Sequence, residues 1–234
     1  MKRILPILIA AICAISCSEG MERDNVVWDP EAQGEADTPI VFLTETDFDA
    51  FVRIVGLENR FKACEVPREI LDGKTTLALA KSILHYPLNY ILPAYNFLDS
   101  PVKLIYDNSP LHQALAARRD AAEALTSVFE KTSIDMNPDL NVSTSYEKIK
   151  FTDELFLEMF MGSGLVQGLD KGVVKKRLKA AVLKKMQERQ AAKDYFGTYG
   201  LIPLAYMNER LGLGLSFPDD AVSEMHRFTL DTAF

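Results

Sequence analysis

The chain has 234 residues and a net charge of −7, with 48% apolar and 25% charged residues. This length and apolar content are enough for one packed globular domain. The acidic balance argues against a general nucleic-acid binder, because contacts to phosphates need clustered positive charge.

The first twenty residues have the pattern of an export signal. Lys2 and Arg3 precede a mostly apolar run over residues 4–15, and Ser16 and Cys17 follow. The run is well short of the ~20 apolar residues that a membrane-spanning helix needs. A basic start, a short apolar core and small residues at the end are typical of a signal peptide.

The residues around Cys17 add a lipid anchor to this prediction. Ala14-Ile15-Ser16-Cys17 resembles the lipobox of bacterial lipoproteins, although Ala14 stands where leucine is usual. The resemblance implies that residues 1–16 are removed and that Cys17 carries the lipid. Ser18 in place of aspartate implies the outer membrane of the cell envelope. The alternative is an ordinary signal peptide with an incidental cysteine.

Loss of the signal peptide changes the balance of charges and cysteines. Lys2 and Arg3 would leave with it, so 24 basic and 33 acidic residues remain, a net charge of −9. With Cys17 lipidated, Cys64 is the one unmodified cysteine of the mature chain. No intramolecular disulfide is then possible, so the fold must depend on its core.

Residues 17–39 are predicted to form an acidic tether, because like charges extend a segment that has little apolar surface. We expect Trp28 in this segment to pack into a groove of its own domain. The alternative is that Trp28 anchors a partner. The segment has one base, Arg23, against seven acids: Glu19, Glu22, Asp24, Asp29, Glu31, Glu35 and Asp37.

Residues 40–234 are predicted to form a single all-α domain of eight or nine helices. The helices are expected to pair into stacked helical hairpins. Apolar residues recur at helical spacing, and no pair of alternating strands is evident. Capping signals are expected to begin helices at Thr44, at Thr75 or Thr76, at Ser100-Pro101, at Ser109-Pro110, at Thr152 and at Asp170. Helices are expected over 45–55, 58–71 with a break at Pro67, 75–84, 110–131, 152–162, 171–196 and 203–211, with short pieces between Pro87 and Asn108 and one near the end.

Part of the domain resembles a group of uncharacterised secreted or lipid-anchored bacterial proteins that share a Thr…Leu…Tyr-Pro…Arg-x-Asp pattern. The matching residues are Thr76-Leu77, the segment 84–88, Tyr95-Asn96 and the segment 118–121. The resemblance implies a helical envelope protein and supplies no catalytic residue.

Several sequence motifs are incomplete. Gly73-Lys74-Thr75 lacks the first glycine and the preceding strand of a phosphate loop, and Ser145 with Lys148 lacks the companion motifs of penicillin-interacting enzymes. The segment 135–146 lacks the glycine and the bidentate glutamate of a calcium loop. The histidines lie far apart, at 85, 112 and 226, and Cys64 has no sequence neighbour that would activate it. The sequence therefore predicts no catalytic residue, metal ligand or cofactor.

Arg118 is the first of two charge anomalies. On a continuous helix over 111–129 it lies on the same stripe as Leu111, Leu115 and Leu125 and faces the core. A buried guanidinium must find carboxylates or carbonyls. It either clamps helices together or grips an anionic ligand in a cleft.

The helix expected over 171–196 is the second anomaly, with nine bases against one acid between residues 171 and 193. These bases could face solvent, or they could pair with the acidic tether or with another acidic face of the domain. The sharper interpretation is a docking surface for an acidic partner or lipid headgroups. Its candidate contacts are Lys175, Lys176, Lys179, Lys185 and Arg189.

The sequence thus favours a lipid-anchored envelope protein that acts by binding, through the basic helix or the proline-broken region 86–97. An unrecognised hydrolase and a structural part of an envelope complex are the alternatives. A deep pocket that joins Cys64 or Ser145 to a histidine would favour the hydrolase.

Overall fold

The computed structural model describes residues 27–28, 34–43, 45–94, 98–133, 145–192 and 195–229. These residues form eleven α-helices and two 3-10 segments, and none of them forms a strand. One isolated antiparallel bridge joins Trp28 to Phe42. The prediction of an all-α fold is confirmed.

The helices follow one another through short turns. They are α1 (Glu45–Val52), α2 (Leu57–Ala63), α3 (Arg68–Gly73), α4 (Thr76–Ser82), α5 (Asp99–Asn108), α6 (Pro110–Ala116), α7 (Ala121–Phe129), α8 (Ser145–Gly162), α9 (Gly172–Ala192), α10 (Tyr195–Arg210) and α11 (Asp219–Thr229). The 3-10 segments are Ile83–His85 and Pro87–Ala94, between α4 and α5.

Two capping predictions are confirmed. The Thr75 hydroxyl accepts a hydrogen bond from the Ala78 amide at the start of α4. Ser109 caps α6 in the same way, with Pro110 in the first turn. In both cases the side chain satisfies an amide that has no partner within the helix. The cap predicted at Thr44 lies outside the described residues.

Several predicted helix bounds are wrong. The helix expected over 110–131 is two helices, because the chain turns between Ala116 and Ala121. Thr152 does not begin a helix, since it is buried well inside α8. Gly200 and Pro203 lie within α10, which begins at Tyr195, whereas one helix was expected to end at 196 and the next to begin at 203. Tertiary packing overrides these local helix-breaking signals.

The central helix of the fold is α8, which packs against α1, α5, α7, α10 and both 3-10 segments. Its side chains Phe156, Leu157, Phe160 and Met161 are fully buried. Gly162 at its end permits close approach to α10, because a Cβ there would lie 2.6 Å from a ring carbon of Tyr206. The core is therefore built around α8, with α10 packed on it and α9 and α11 packed on α10.

The described part of the predicted tether contacts the helical body. The Val27 amide donates to the Ala63 carbonyl at 2.9 Å, and the Thr75 amide donates to the Ala36 carbonyl at 2.8 Å. Trp28 is buried, and its indole nitrogen donates to the Glu65 carbonyl at 2.9 Å. The folded unit thus begins earlier than the predicted bound at residue 40. Cys17, the signal and the rest of the tether lie outside the described residues.

Candidate functional site

The basic residues of α9 fall into two sets with different surroundings. Lys185 and Arg189 point inward and are almost fully buried, whereas Lys176, Lys179 and Lys184 are exposed. The helix therefore presents charge both to the core and to solvent.

The inward set forms an ion cluster with two carboxylates of α8. Arg189 binds Glu158 in a bidentate manner, with N···O distances of 2.6 and 2.9 Å, and lies 3.5 Å from Glu154. Lys185 pairs with Glu154 and donates to the Thr132 carbonyl. Two acids and two bases thus balance one another, as burial of charge requires.

The surroundings of this ion cluster complete its hydrogen bonds. Arg189 also donates to the Gly200 carbonyl, and a Cβ on Gly200 would lie 3.2 Å from the Arg189 Cδ. The Lys185 ammonium lies 4.8 Å from the centre of the Phe129 ring. The cluster thereby ties α8 to α9, α10 and the end of α7 through charged and carbonyl groups.

Burial sets the protonation of the cluster. It raises the pKa of Glu158 to about 7, although the Arg189 guanidinium and its hydrogen bonds act in the opposite direction. One oxygen of Glu154, Oε2, is buried without a hydrogen-bond partner. A carboxyl that titrates near neutrality makes the cluster sensitive to pH.

The burial of Lys185 and Arg189 corrects their prediction as surface contacts. Both are enclosed by protein, so neither is available to a docked partner. Their actual partners, Glu154 and Glu158, were missed at the sequence level. The available signal was spacing, since each pair is four residues apart on its helix and therefore shares a face.

The solvent-facing set of bases lies on the opposite side of α9. Lys171, Lys176 and Lys184 are exposed, and Lys184 lies 3.7 Å from Glu188 one turn later. The ammonium groups of Lys171 and Lys176 have no hydrogen-bond or ion-pair partner among the described residues. Of the candidates predicted from the sequence, Lys176 therefore lies most openly on the surface.

Three other bases of α9 turn toward neighbouring elements. Arg177 makes two hydrogen bonds to Glu130, at 2.9 and 2.5 Å, and one to Ser127 at 3.1 Å. Lys175 and Lys179 lie beside the segment that follows α10, where the Lys179 ammonium is 3.5 Å from the Gly214 carbonyl. Lys175 and Lys179 thus flank the exposed face, while Arg177 is tied to α7.

Apolar side chains accompany the lysines on this face. Val173 is 73% exposed, and Leu183 is also exposed. Residues 173, 176, 180, 183, 184 and 187 share one side of a helix, because successive positions lie three or four residues apart. We call this surface, made by Val173, Lys176, Ala180, Leu183, Lys184 and Gln187, the outer face of α9.

Arg118 lies in the turn between α6 and α7, where it donates to the Leu71 carbonyl at 3.1 Å. It was predicted to face the core from a continuous helix, but it is partly exposed at a break in that helix. Nearby, the Thr76 hydroxyl donates to an Asp120 carboxylate at 2.6 Å. These contacts join α3 and α4 to the turn after α6, so the Thr…Arg-x-Asp residues hold helices together.

Cys64 belongs to a buried chain of polar groups. Its thiol and the Ser109 hydroxyl both lie near the Tyr86 hydroxyl, and the Ser109 hydroxyl lies 2.8 Å from His112 Nδ1. All four side chains are buried. Burial raises the pKa of the thiol far above its ordinary value and lowers the pKa of His112 to about 3. A thiol held protonated inside the core is not a nucleophile that a substrate can reach.

The other motifs give no site in the part of the chain that the structure describes. The Lys74 ammonium is buried and donates to the Glu35 carbonyl at 3.0 Å, and Tyr86 to Asn89, in the second candidate surface, are buried. No three potential metal ligands cluster among the described residues. The side chain of Ser145 and residues 135–141 lie outside the description.

No described helix is long and apolar enough to cross a bilayer. Compared with models of protein families, with curated proteins and with solved structures, the chain gives no match. The interpretation of the site therefore depends on its own geometry.

Proposed function

We propose that this protein is a binding module of the bacterial cell envelope. A lipid on Cys17 holds it to a membrane, and the outer face of α9 contacts an anionic partner. The lipobox-like segment supports the anchor.

The observation that carries the proposal is unpaired positive charge at the start of α9, from Lys171 directly before the helix and Lys176 within it. The chain has a net charge of −7, yet Lys171 and Lys176 have no acidic partner among the described residues. Three other bases of this helix already form ion pairs with acids of the same protein: Arg177, Lys185 and Arg189. Because no acid in the described part of the chain neutralises Lys171 and Lys176, they form a positive surface that attracts anions.

The anchor is tested by cell fractionation of a Cys17→Ser variant. We expect the wild-type protein in the membrane fraction and the variant in the soluble fraction. A variant that still sediments with membranes would contradict the anchor.

The binding face is tested by crosslinking in cells with a photoreactive residue at position 176. Position 81 is the control, because Lys81 is exposed on α4 and also has no acid partner among the described residues. We expect crosslinked products at 176 and few at 81. Equal yields at both positions would mean that α9 is an ordinary solvated surface. The identity of the crosslinked proteins would also distinguish a transient partner from a stable envelope complex.

A further inference from the structure

We infer that the outer face of α9 docks on anionic lipid headgroups and that Val173 enters the interface between headgroups and acyl chains. This inference rests on the proposed function, because it names the partner of the same face.

The residue types on the face favour a lipid surface over a protein. Its free bases are lysines, while the arginine of this region, Arg177, is already held by Glu130. Protein interfaces are enriched in arginine and aromatic residues and depleted in lysine. A lysine is a flexible point charge that matches a fluid layer of phosphates, whereas arginine suits fixed bidentate recognition. The outer face has no aromatic residue and no free arginine.

The geometry of the face also fits a flat surface. Val173, Lys176, Ala180 and Lys184 follow one side of a regular helix. Among the described residues, Val173 is the most exposed large apolar side chain, and Lys171 and Lys176 lie within three residues of it. An exposed apolar side chain beside lysines can enter the headgroup boundary while the lysines contact the headgroups.

The predicted anchor would hold the domain near the membrane. Nine residues separate Cys17 from Val27, the first described residue. A fully extended segment of this length spans at most about 35 Å. Docking would then be an intramolecular event at high effective concentration, so a weak surface attraction would be sufficient.

The test uses the full chain with Cys17→Ser, so that the lipid does not mask the contribution of α9. Partitioning is measured on vesicles of phosphatidylcholine alone and of phosphatidylcholine with phosphatidylglycerol, at low salt. We expect binding to the anionic vesicles alone and its loss near 1 M salt, where the Debye length is about 3 Å.

A matched pair of triple variants locates the binding face. Lys171→Gln, Lys176→Gln and Lys184→Gln are combined, and the control combines Lys62→Gln, Lys81→Gln and Lys103→Gln. Each triple variant removes three exposed charges, of which two have no partner among the described residues and one belongs to an ion pair between residues four apart. That pair is Lys184 with Glu188 in the α9 variant and Lys103 with Asp107 in the control. At roughly fivefold per lysine, we expect about a 100-fold loss for the α9 variant. The control is expected to lose less than about fivefold.

A matched valine pair tests the apolar contact. Val173 and Val55 are 73% and 72% exposed, so Val173→Ser and Val55→Ser remove equal apolar surface from solvent. We expect about fivefold weaker partitioning for Val173→Ser and no change for Val55→Ser.

Three results would overturn the inference: no binding to anionic vesicles, equal binding to neutral ones, or equal losses in the two triple variants. If vesicles are not bound while crosslinking at position 176 captures an acidic protein, the lipid assignment is wrong and the proposed function stands. If both experiments fail, the proposed function fails as well.

Discussion

Two adjacent lysines of α9 have opposite environments. The Lys184 side chain is 73% exposed and lies 3.7 Å from Glu188 in solvent. The Lys185 side chain is 6% exposed and pairs with Glu154 inside the molecule. One residue step turns the side chain by about 100°, which moves it from the surface to the core.

The comparison teaches that burial decides what a charge contributes to the fold. An exposed ion pair stabilises a protein by about 0–1 kcal/mol, because water already solvates both groups. A buried pair need not stabilise much either, but removal of one partner leaves the other charge without solvation. The inner residues of α9 should therefore tolerate no loss of charge, while its outer residues should tolerate it well.

The largest expected effect is that of Arg189→Met. It leaves the Glu158 carboxyl buried without its bidentate partner, so that this group must take up a proton or stay charged without solvation, and we expect the free energy of unfolding to fall by about 3–5 kcal/mol. Urea denaturation at neutral pH measures the loss.

The control for that variant is Arg227→Met, which removes an exposed arginine paired with Glu224 and should cost less than about 1 kcal/mol. A double variant, Arg189→Met with Glu158→Met, should recover much of the loss, because no buried charge is left unpaired. A small loss for Arg189→Met alone would contradict the assignment of the cluster.

His112 sharpens the comparison, because it is a buried ionisable group with no charged partner among the described residues. Its folded pKa of about 3 lies below the ordinary value of 6.5, so the unfolded chain binds more protons between these values. Stability is therefore lost as pH falls from 6.5 to 3, by about 1.4 kcal/mol per pH unit. In His112→Phe this loss is absent, so urea denaturation should show the variant gaining on the wild type below pH 6.5. A difference that is constant with pH would contradict this.

Glu158 should respond to pH with the opposite sign. Its folded pKa of about 7 lies above the ordinary value of 4.5, so the folded chain binds more protons between these values. Its contribution is full below pH 4.5 and is lost as pH rises to about 7, at about 1.4 kcal/mol per pH unit. Between pH 4.5 and 6.5 it offsets His112. In Glu158→Gln we expect stability to fall more steeply with acid there, and parallel profiles would contradict the raised pKa.

The smallest expected effect is that of the combined Lys171→Gln, Lys176→Gln and Lys184→Gln changes on stability. These side chains are exposed, so the free energy of unfolding should change by less than about 1 kcal/mol. The same urea measurement checks it. A loss above about 2 kcal/mol would mean that the outer lysines also hold the fold together.

Local signals in the sequence predicted the helices where a side chain bonds to a nearby amide. Thr75 and Ser109 cap their helices as expected, because the interaction depends on three or four neighbouring residues. The break between Ala116 and Ala121 has no such signal, since it is held by contacts of Arg118 with Leu71 and of Asp120 with Thr76. Those partners lie more than forty residues away in the chain.

The candidate site was predictable only in part for the same reason. At helical spacing, Lys185 and Arg189 continue the apolar stripe formed by Val174, Leu178 and Val182 and so interrupt it with charge. Their partners, Glu154 and Glu158, lie 31 residues earlier on another helix. Periodicity describes which side of one helix a residue occupies, but it does not tell which helix covers that side. A charge on an apolar stripe therefore indicated burial better than it indicated docking.

The division of α9 into an inner and an outer set of charges is tested most directly by two neighbouring substitutions, Lys184→Met and Lys185→Met, unfolded side by side in urea. Lys184→Met should change the free energy of unfolding by about 0.5 kcal/mol or less, because its ion pair is exposed. Lys185→Met should reduce it by about 2–4 kcal/mol, because Glu154 loses its nearest buried cation. Equal effects of the two substitutions would contradict the division.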